Sequence, residues 1–307
     1  MDTTVSVVIA THNRAAYLLK SIESIEIQKP VESSYELLVV DNASTDNTKE
    51  VVLLKAKTMV NLRYIYEENL GLNHARNRGL KEAAFSYIAY LDDDAVAHPG
   101  WLNAIVRVIT SVSPSPVVMG GKVLPIWESG KPEWLSEKMQ KALSIVDYGE
   151  NAHFLTGTEF LVGANMVFHG ETLKIIGGFH SDLGRKGNRL TSNEEIMVVN
   201  QIKKSGHIPY YDPRIAVGHH IPAARLTKDW FRKRYFSQGY SDAIMWRIME
   251  NPSPSARMRR FFFFLYCFLR NPSYIFQLFR DPSSQIDFYK KLIAHSWRGY
   301  LKGILQK

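Results

Sequence analysis

Residues 87–102 read "YIAYLDDDAVAHPGWL", in which an apolar run ends in three carboxylates, Asp92, Asp93 and Asp94. Adjacent negative charges repel one another and gain nothing from lying at the end of a buried segment. Carboxylates suit Mg²⁺ or Mn²⁺, ions that are typically bound through one or two carboxylates together with phosphates. The triplet therefore predicts a divalent metal beside a diphosphate. Helix capping, the alternative, explains one of these acids but not all three.

The segments before the triplet alternate short apolar runs with amphipathic ones. Residues 44–57 and 73–85 have the pattern of helices. Runs typical of buried strands are "VSVVIA" (5–10), "YELLVVD" (35–41), "LRYIY" (62–66) and "YIAYL" (87–91). This order predicts an α/β fold with a mostly parallel sheet and helices on both faces. Ligands bind at the carboxyl ends of such strands, where Asp41 and the triplet lie.

The pattern is looser after Trp101. Strand-like runs occur at 116–125 and 159–169, residues 191–206 look like a helix, and 207–222 is irregular with one strand. Helices dominate from about Leu226 onward. The predicted domains are a catalytic domain (1–225), with halves 1–115 and 116–225, and a basic, aromatic-rich helical extension (226–307).

The net charge of +8 is concentrated near the end of the chain. Residues 225–307 hold sixteen Lys and Arg against five Asp and Glu, which indicates either an anionic partner or a solvated helical surface. Within this part, "FFFFLYCFL" (261–269) is too short to span a bilayer. It predicts peripheral membrane contact, or alternatively a packed helix.

The chain has 307 residues and one cysteine, Cys267, so it cannot form an internal disulfide framework. This fits a reducing compartment. The first residues lack the pattern of a signal peptide. We therefore expect a cytoplasmic protein, located at the inner face of the cell membrane if its basic tail binds lipid.

Four blocks of the sequence together resemble glycosyltransferase family 2. They are "VSVVIATHNR", "LLVVDNASTDNT", "NLGLNHARNRGL" and "YLDDDAVAHPGWL", and the resemblance covers roughly residues 4–225. It implies a GT-A fold, which is a Rossmann-like, mostly parallel sheet flanked by helices. It also implies inverting transfer of a sugar from a nucleotide diphosphate, most commonly uridine diphosphate, to a saccharide or lipid-linked hydroxyl.

The resemblance assigns roles to residues at the sheet edge. The metal motif of the family maps onto Asp92 and Asp94, and Asp93 lies between them as a contact for the ribose or sugar. Arg76 and Asn77 are expected near the phosphates. The residues expected at the base and ribose are Thr11, Asn13, Arg14 and Asp41.

Further roles fall on later segments. The family's catalytic base matches Glu195 in "NEEIMVV", with Glu194 as the rival; helix-dipole stabilisation is the alternative explanation of both acids. His219, which aligns better than His220, is the predicted third metal ligand and favours Mn²⁺ over Mg²⁺, with a structural role as the alternative. Residues expected beside the acceptor are Gly163, Ala164 and Asn165.

Two other functions are compatible with parts of the sequence. A sugar nucleotidyltransferase on a similar fold usually has a Gly-rich loop after the first strand, whereas this loop reads "THNRAAYL". A non-catalytic GT-A-like protein would use the tail on membrane or nucleic acid, but no recognisable nucleic-acid module accompanies it. We therefore predict a metal-dependent glycosyltransferase and no nucleic-acid partner.

Overall fold

The computed structural model describes residues 4–28, 35–187 and 190–306. The chain divides into two compact units. The first comprises Met1–Ile126, Ser144–Ser181 and Glu194–His220, and the second comprises Trp127–Leu143, Asp182–Asn193 and Ile221–Lys307. The second unit therefore includes two segments that precede the predicted boundary at residue 225.

An eight-stranded sheet forms the centre of the first unit. Its strands are β1 (Val5–Thr11), β2 (Tyr35–Asp41), β3 (Leu62–Tyr66), β4 (Tyr87–Leu91), β6 (Val118–Gly120), β8 (His153–Phe154), β9 (Asn165–His169) and β10 (Tyr210–Tyr211). Their order is β3-β2-β1-β4-β9-β6-β10-β8, and the first four run parallel. The strand β9 is antiparallel to both of its neighbours. A second sheet consists of β5 (Ala95–Ala97), β11 (Val217–Ile221) and β7 (Val123–Trp127), in that order.

Helices connect these strands and cover the sheet. They are α1 (Ala15–Glu26), α2 (Thr48–Ala56), α3 (Leu72–Glu82), α4 (Trp101–Ser111), α6 (Gly170–Ile175) and α7 (Glu194–Lys204). Strands β1, β2 and β4 are almost wholly buried, as expected of strands with helices on both faces, whereas β3 at the edge of the sheet exposes Arg63 and Tyr66. Close packing is visible where α3 crosses β1, because a Cβ on Gly79 would overlap a methyl group of Val8. The predicted α/β class, with a mostly parallel sheet, is confirmed.

The looser part of the pattern needs three corrections. The predicted strand at 116–125 is two strands, because the chain turns at Gly121, where any Cβ would overlap the carbonyl oxygens of Asp212 and Ile215. The predicted strand at 159–169 is regular only from Asn165 onward. Residues 207–222 contain two strands, β10 and β11, where one was predicted.

The second unit is helical. Its helices are α5 (Glu137–Gln140), α8 (Lys228–Glu250), α9 (Pro254–Leu269), α10 (Pro272–Leu278) and α11 (Gln285–Leu305). Helices α8 and α11 cross in direct backbone contact, since a Cβ on Gly239 or Gly299 would overlap a carbonyl oxygen of the other helix. None of the helices in the described ranges combines the length and apolarity that a membrane span requires.

Candidate active site

The acid triplet follows β4 directly and lies at the edge where β1 and β2 also end. Thr11 and Asp41 are register partners at the last positions of β1 and β2. The Thr11 hydroxyl donates a hydrogen bond of 2.9 Å to Oδ2 of Asp93. The parallel register therefore brings the ends of three strands together, as expected for a ligand site in an open sheet.

Arg14 forms ion pairs with two of the three acids of the triplet. Its Nη1 lies 2.8 Å from Oδ1 of Asp93 and 2.8 Å from Oδ2 of Asp94. Burial acts to lower the pKa of Arg14, but the charges of the two carboxylates outweigh burial and raise it. Burial also raises the pKa of Asp93 to about 6, against the opposing effect of Arg14. One guanidinium thus holds two of the three acids.

Arg76 on α3 joins the triplet to the glutamate pair. Its Nη2 lies 3.1 Å from Oδ1 of Asp92, and its Nη1 lies 3.2 Å from Oε1 of Glu194. The guanidinium is almost fully buried and lies over the ring of Phe179, 5.4 Å from its centroid. A Cβ on Gly163 would overlap Nη2, so this approach requires glycine.

The two glutamates begin α7 and differ in their surroundings. Glu194 is buried, and burial, reinforced by the charge of Glu195, raises its pKa to about 8. Glu195 is partly exposed, and its Oε1 accepts a long hydrogen bond of 3.4 Å from the Gly163 amide. Oε2 of each glutamate is buried without a hydrogen-bond partner. The two glutamates therefore differ in the exposure of the residue and in the ion pair that ties Glu194 to Arg76.

Strand β11 brings a histidine to the triplet. It pairs antiparallel with β5, which follows the triplet directly, and the register sets His219 opposite Ala95. Nε2 of His219 lies 3.2 Å from Oδ1 of Asp94, whereas the ring of His220 lies against Tyr17. Successive side chains of a strand point to opposite faces, so the register distinguishes the two neighbouring histidines.

Asp92, Asp94 and His219 could hold a metal ion. One ligand atom from each residue lies within 4.8 Å of the other two. Ligands about 2.1 Å from a shared ion lie at most about 4.2 Å apart, so the three side chains would have to draw closer to bind one ion. The Nδ1 atom of His219 is buried without a partner. Two carboxylate oxygens and one imidazole nitrogen are a donor set that could hold a divalent metal ion.

Asp41 and Asn13 are held in place by their neighbours. Oδ2 of Asp41 accepts a hydrogen bond of 2.8 Å from the Tyr64 hydroxyl, and its Oδ1 accepts one of 2.9 Å from the Ser44 amide. Asn13 adopts a positive φ of 54°, and its Oδ1 accepts a bond of 2.7 Å from the Thr45 amide. These contacts fix the two loops that border the edge of the sheet.

Three residues of the predicted site are held by, or buried within, other parts of the protein. Asn77 was expected at the phosphates, but its amide is taken up by the backbone of Phe179, through bonds of 2.8 and 2.9 Å. Asn165 was expected beside the acceptor, but its buried side chain bonds to Trp101 and to the carbonyls of Lys122 and Ile215. The adjacent Ala164 is buried as well. The contacts at the phosphates for Asn77 and at the acceptor for Ala164 and Asn165 stay predictions.

Sequence reasoning missed three features of the site. The sequence suggested Arg14 only as a donor contact, although counting charges around an acid triplet would have indicated a cation partner. Tyr64 and Phe179 carry no motif, and only packing places them beside Asp41 and Arg76. Aromatic residues of this kind are indistinguishable from ordinary core residues in a single sequence.

Comparison with known proteins gives one family and related folds. A model of glycosyl transferase family 2 matches residues 6–167. A glucosyl-dolichyl phosphate glucuronosyltransferase of Haloferax volcanii is 27% identical over 244 residues, which are 78% of this chain and 77% of that protein.

Two solved structures are similar in fold. A mannosyltransferase of Pyrobaculum calidifontis in complex with GDP-Man and Mn²⁺ has a TM-score of 0.62 at 18% identity, covering 100% of this chain and 88% of the other. S. aureus TarS 1–349 in complex with UDP-GlcNAc has a TM-score of 0.54 at 18% identity, covering 78% and 66%. At these identities the similarity supports the fold.

Proposed function

Since this chain belongs to glycosyl transferase family 2 and is a glycosyltransferase, we propose that it moves one sugar from a nucleotide-diphosphate donor to an acceptor hydroxyl with inversion. The observation that carries the proposal is the set of contacts from the acid triplet through Arg76 to the glutamate pair. Inverting transfer needs a leaving-group site and a base on opposite sides of the reacting carbon. The triplet and the pair supply one candidate for each.

The donor diphosphate would lie against Asp92, Asp94 and His219, with a divalent metal between them. A bound Mn²⁺ or Mg²⁺ neutralises charge that develops on the leaving diphosphate. The mixed oxygen and nitrogen donors favour Mn²⁺, although Mg²⁺ meets the same oxygens. Arg14 and Arg76 keep these acids in place while contributing positive charge of their own.

Glu195 is the proposed catalytic base. Glu195 is partly exposed and lies in the first turn of α7 beside Gly163, so its carboxylate can take the proton of an acceptor hydroxyl that enters there. Glu194 is buried and tied to Arg76, so it is less accessible to an acceptor hydroxyl than the partly exposed Glu195. These differences support the assignment that the position of the Asp in the family motif suggested.

The remaining donor contacts are proposed along the edge of the sheet. Thr11, Asn13 and Asp41 are placed at the base and ribose, and Asp93 at the ribose or the sugar. Uridine diphosphate is the nucleotide that we propose. A solved structure with UDP-GlcNAc supports it, while the one with GDP-Man shows that guanosine is used on a similar fold.

A lipid-linked saccharide is the proposed acceptor. The relative from Haloferax volcanii is named for a glucosyl-dolichyl phosphate, which is a lipid-linked sugar. Sixteen Lys and Arg against five acids in residues 225–307 support work beside an anionic surface. We propose the inner face of the cell membrane as the place of reaction, with the acceptor hydroxyl entering beside Gly163.

The full chain should be tested against a panel of nucleotide sugars, with Mn²⁺ and with chelator. We expect one donor to raise the melting temperature only with metal, because a ligand of the folded state stabilises it. We also expect slow metal-dependent release of nucleoside diphosphate. Stabilisation without turnover on any acceptor would indicate a binding protein, and turnover of a nucleoside triphosphate with a sugar phosphate would indicate a nucleotidyltransferase.

A further inference from the structure

Helix α9 is anchored to the second unit by one of its two faces. The ring of Phe264 lies 4.3 Å from that of Tyr300, and Phe268 lies 5.6 Å from Trp297, measured between centroids. Arg260 donates a hydrogen bond of 2.6 Å to the Tyr300 hydroxyl and lies 4.2 Å from the centroid of Trp246. These contacts hold α9 in a fixed orientation.

The opposite side of α9 presents large apolar side chains to solvent. Met258, Phe262, Tyr266 and Leu269 recur at the spacing of one helical face, and each is exposed. Phe276 of α10 and Phe279, the residue that follows this helix, are exposed as well, Phe279 by 84%. We call this set the aromatic face, and it consists of Met258, Phe262, Phe263, Tyr266, Leu269, Phe276 and Phe279.

Large apolar side chains exposed together on one helical face mark a binding site for a protein or a membrane. The charge of the surrounding residues distinguishes a membrane from a protein as the partner. Residues 251–280 contain five Arg and neither Asp nor Glu. Arg270 lies 5.6 Å from the ring centroid of Tyr266, and Arg280 lies 4.7 Å from that of Phe276, so cations flank the aromatic face directly. Aromatic residues bordered by Arg are typical of helices that lie in the interface of an anionic membrane.

The lengths of α9 and α10 determine whether these helices can span a bilayer. Helix α9 has 16 residues and α10 has 7, whereas a spanning helix needs about 20 apolar residues. The inner side of α9 is occupied by Phe264 and Phe268, so only its outer side is available to lipid. The geometry therefore fits a helix that lies on a bilayer.

We propose that the aromatic face lies among the headgroups of an anionic membrane, with Arg259, Arg270 and Arg280 on the lipid phosphates. This inference goes beyond the sugar transfer and does not depend on it, because none of these residues belongs to the candidate active site. It gives the second unit a function of its own, which is to attach the enzyme where lipid-linked molecules are found.

Sedimentation of the full chain with vesicles tests the proposal. We expect binding to vesicles that contain phosphatidylglycerol, and much weaker binding to pure phosphatidylcholine. The triple variant F262S/F263S/F279S should bind at least roughly tenfold more weakly, because it removes apolar surface from the interface. Each of Arg259→Gln, Arg270→Gln and Arg280→Gln should weaken binding by roughly fivefold at low salt.

The matched control is V60S/I175S, which removes two apolar side chains that are 96% and 76% exposed in the first unit. It should bind vesicles like the wild type. Circular dichroism and metal-dependent nucleotide binding confirm that every variant is folded. Failure of the wild type to bind anionic vesicles, or equal binding by the triple variant, would overturn the proposal. The proposal would also be overturned if the wild type formed a dimer and bound no vesicles, and if the triple variant were a monomer.

Discussion

Replacement of Glu195 by Gln tests the proposed mechanism most directly. Gln keeps the volume of the side chain, and its carbonyl oxygen can still accept the 3.4 Å bond from the Gly163 amide. The other oxygen, which has no partner, becomes an amide nitrogen that cannot take a proton. The change therefore removes the basic function with little disturbance of the fold.

The expected loss follows from the role of the base. A positioned general base contributes about 10²–10⁴ to the rate, which corresponds to roughly 3–5 kcal/mol of transition-state stabilisation. We expect the turnover of Glu195→Gln to decrease by a factor within that range. Turnover is measured as nucleoside diphosphate released in the presence of acceptor. Donor affinity, measured by calorimetry with Mn²⁺, should change by less than roughly threefold, because no proposed donor contact is altered.

The adjacent Glu194 supplies a matched control. Burial raises its pKa and so favours the protonated form, which an amide resembles in shape and charge. Glu194→Gln should therefore retain turnover within roughly tenfold of the wild type. A Glu195→Gln variant with wild-type turnover would refute the assignment, and a larger loss in Glu194→Gln would transfer the role of base to Glu194.

The remaining predictions concern stability and metal binding. Folded Glu194 holds its proton up to about pH 8 against an ordinary pKa of 4.5, so its stabilisation is complete below pH 4.5 and is lost as the pH rises through 8. The free energy of unfolding of Glu194→Gln should lack that fall, and an unchanged pH profile would contradict the raised pKa. Asp94→Asn should weaken Mn²⁺ binding by on the order of 100-fold in an electron paramagnetic resonance titration, and unaltered affinity would exclude Asp94 as a ligand. Asn77→Ala should lower the free energy of unfolding by about 1–3 kcal/mol and leave donor affinity unchanged, whereas loss of donor affinity would restore its predicted contact with phosphate. Gly299→Ala should destabilise the protein by about 1–3 kcal/mol, measured by urea unfolding, because the new Cβ would overlap a carbonyl oxygen of α8. This loss is expected despite a gain in helix propensity of about 1 kcal/mol. Equal or greater stability would show that the two helices separate at little cost.

Local pattern was enough to predict the first half of the fold. The bounds of β2, β3 and β4 coincide with the runs 35–41, 62–66 and 87–91. Strands β2 and β4 are buried on both faces and are therefore mostly apolar, whereas β3 at the edge of the sheet is partly exposed and has the β-branched and aromatic residues typical of strands. Pattern failed where the strands are short, as at β6 and β10, since two or three residues carry no detectable period.

The sequence by itself determined which residues collect at the edge of the sheet, since the carboxyl ends of parallel strands meet there whatever the details of packing. Only the tertiary structure decided the partners. It paired Arg14 with Asp93 and Asp94, linked Arg76 to Glu194, and directed the side chain of Asn77 to a backbone turn. It also brought the side chain of His219 to Asp94, through the register of β11 on β5. Such pairings join residues that lie far apart along the chain, and they depend on register and packing that no local spacing encodes.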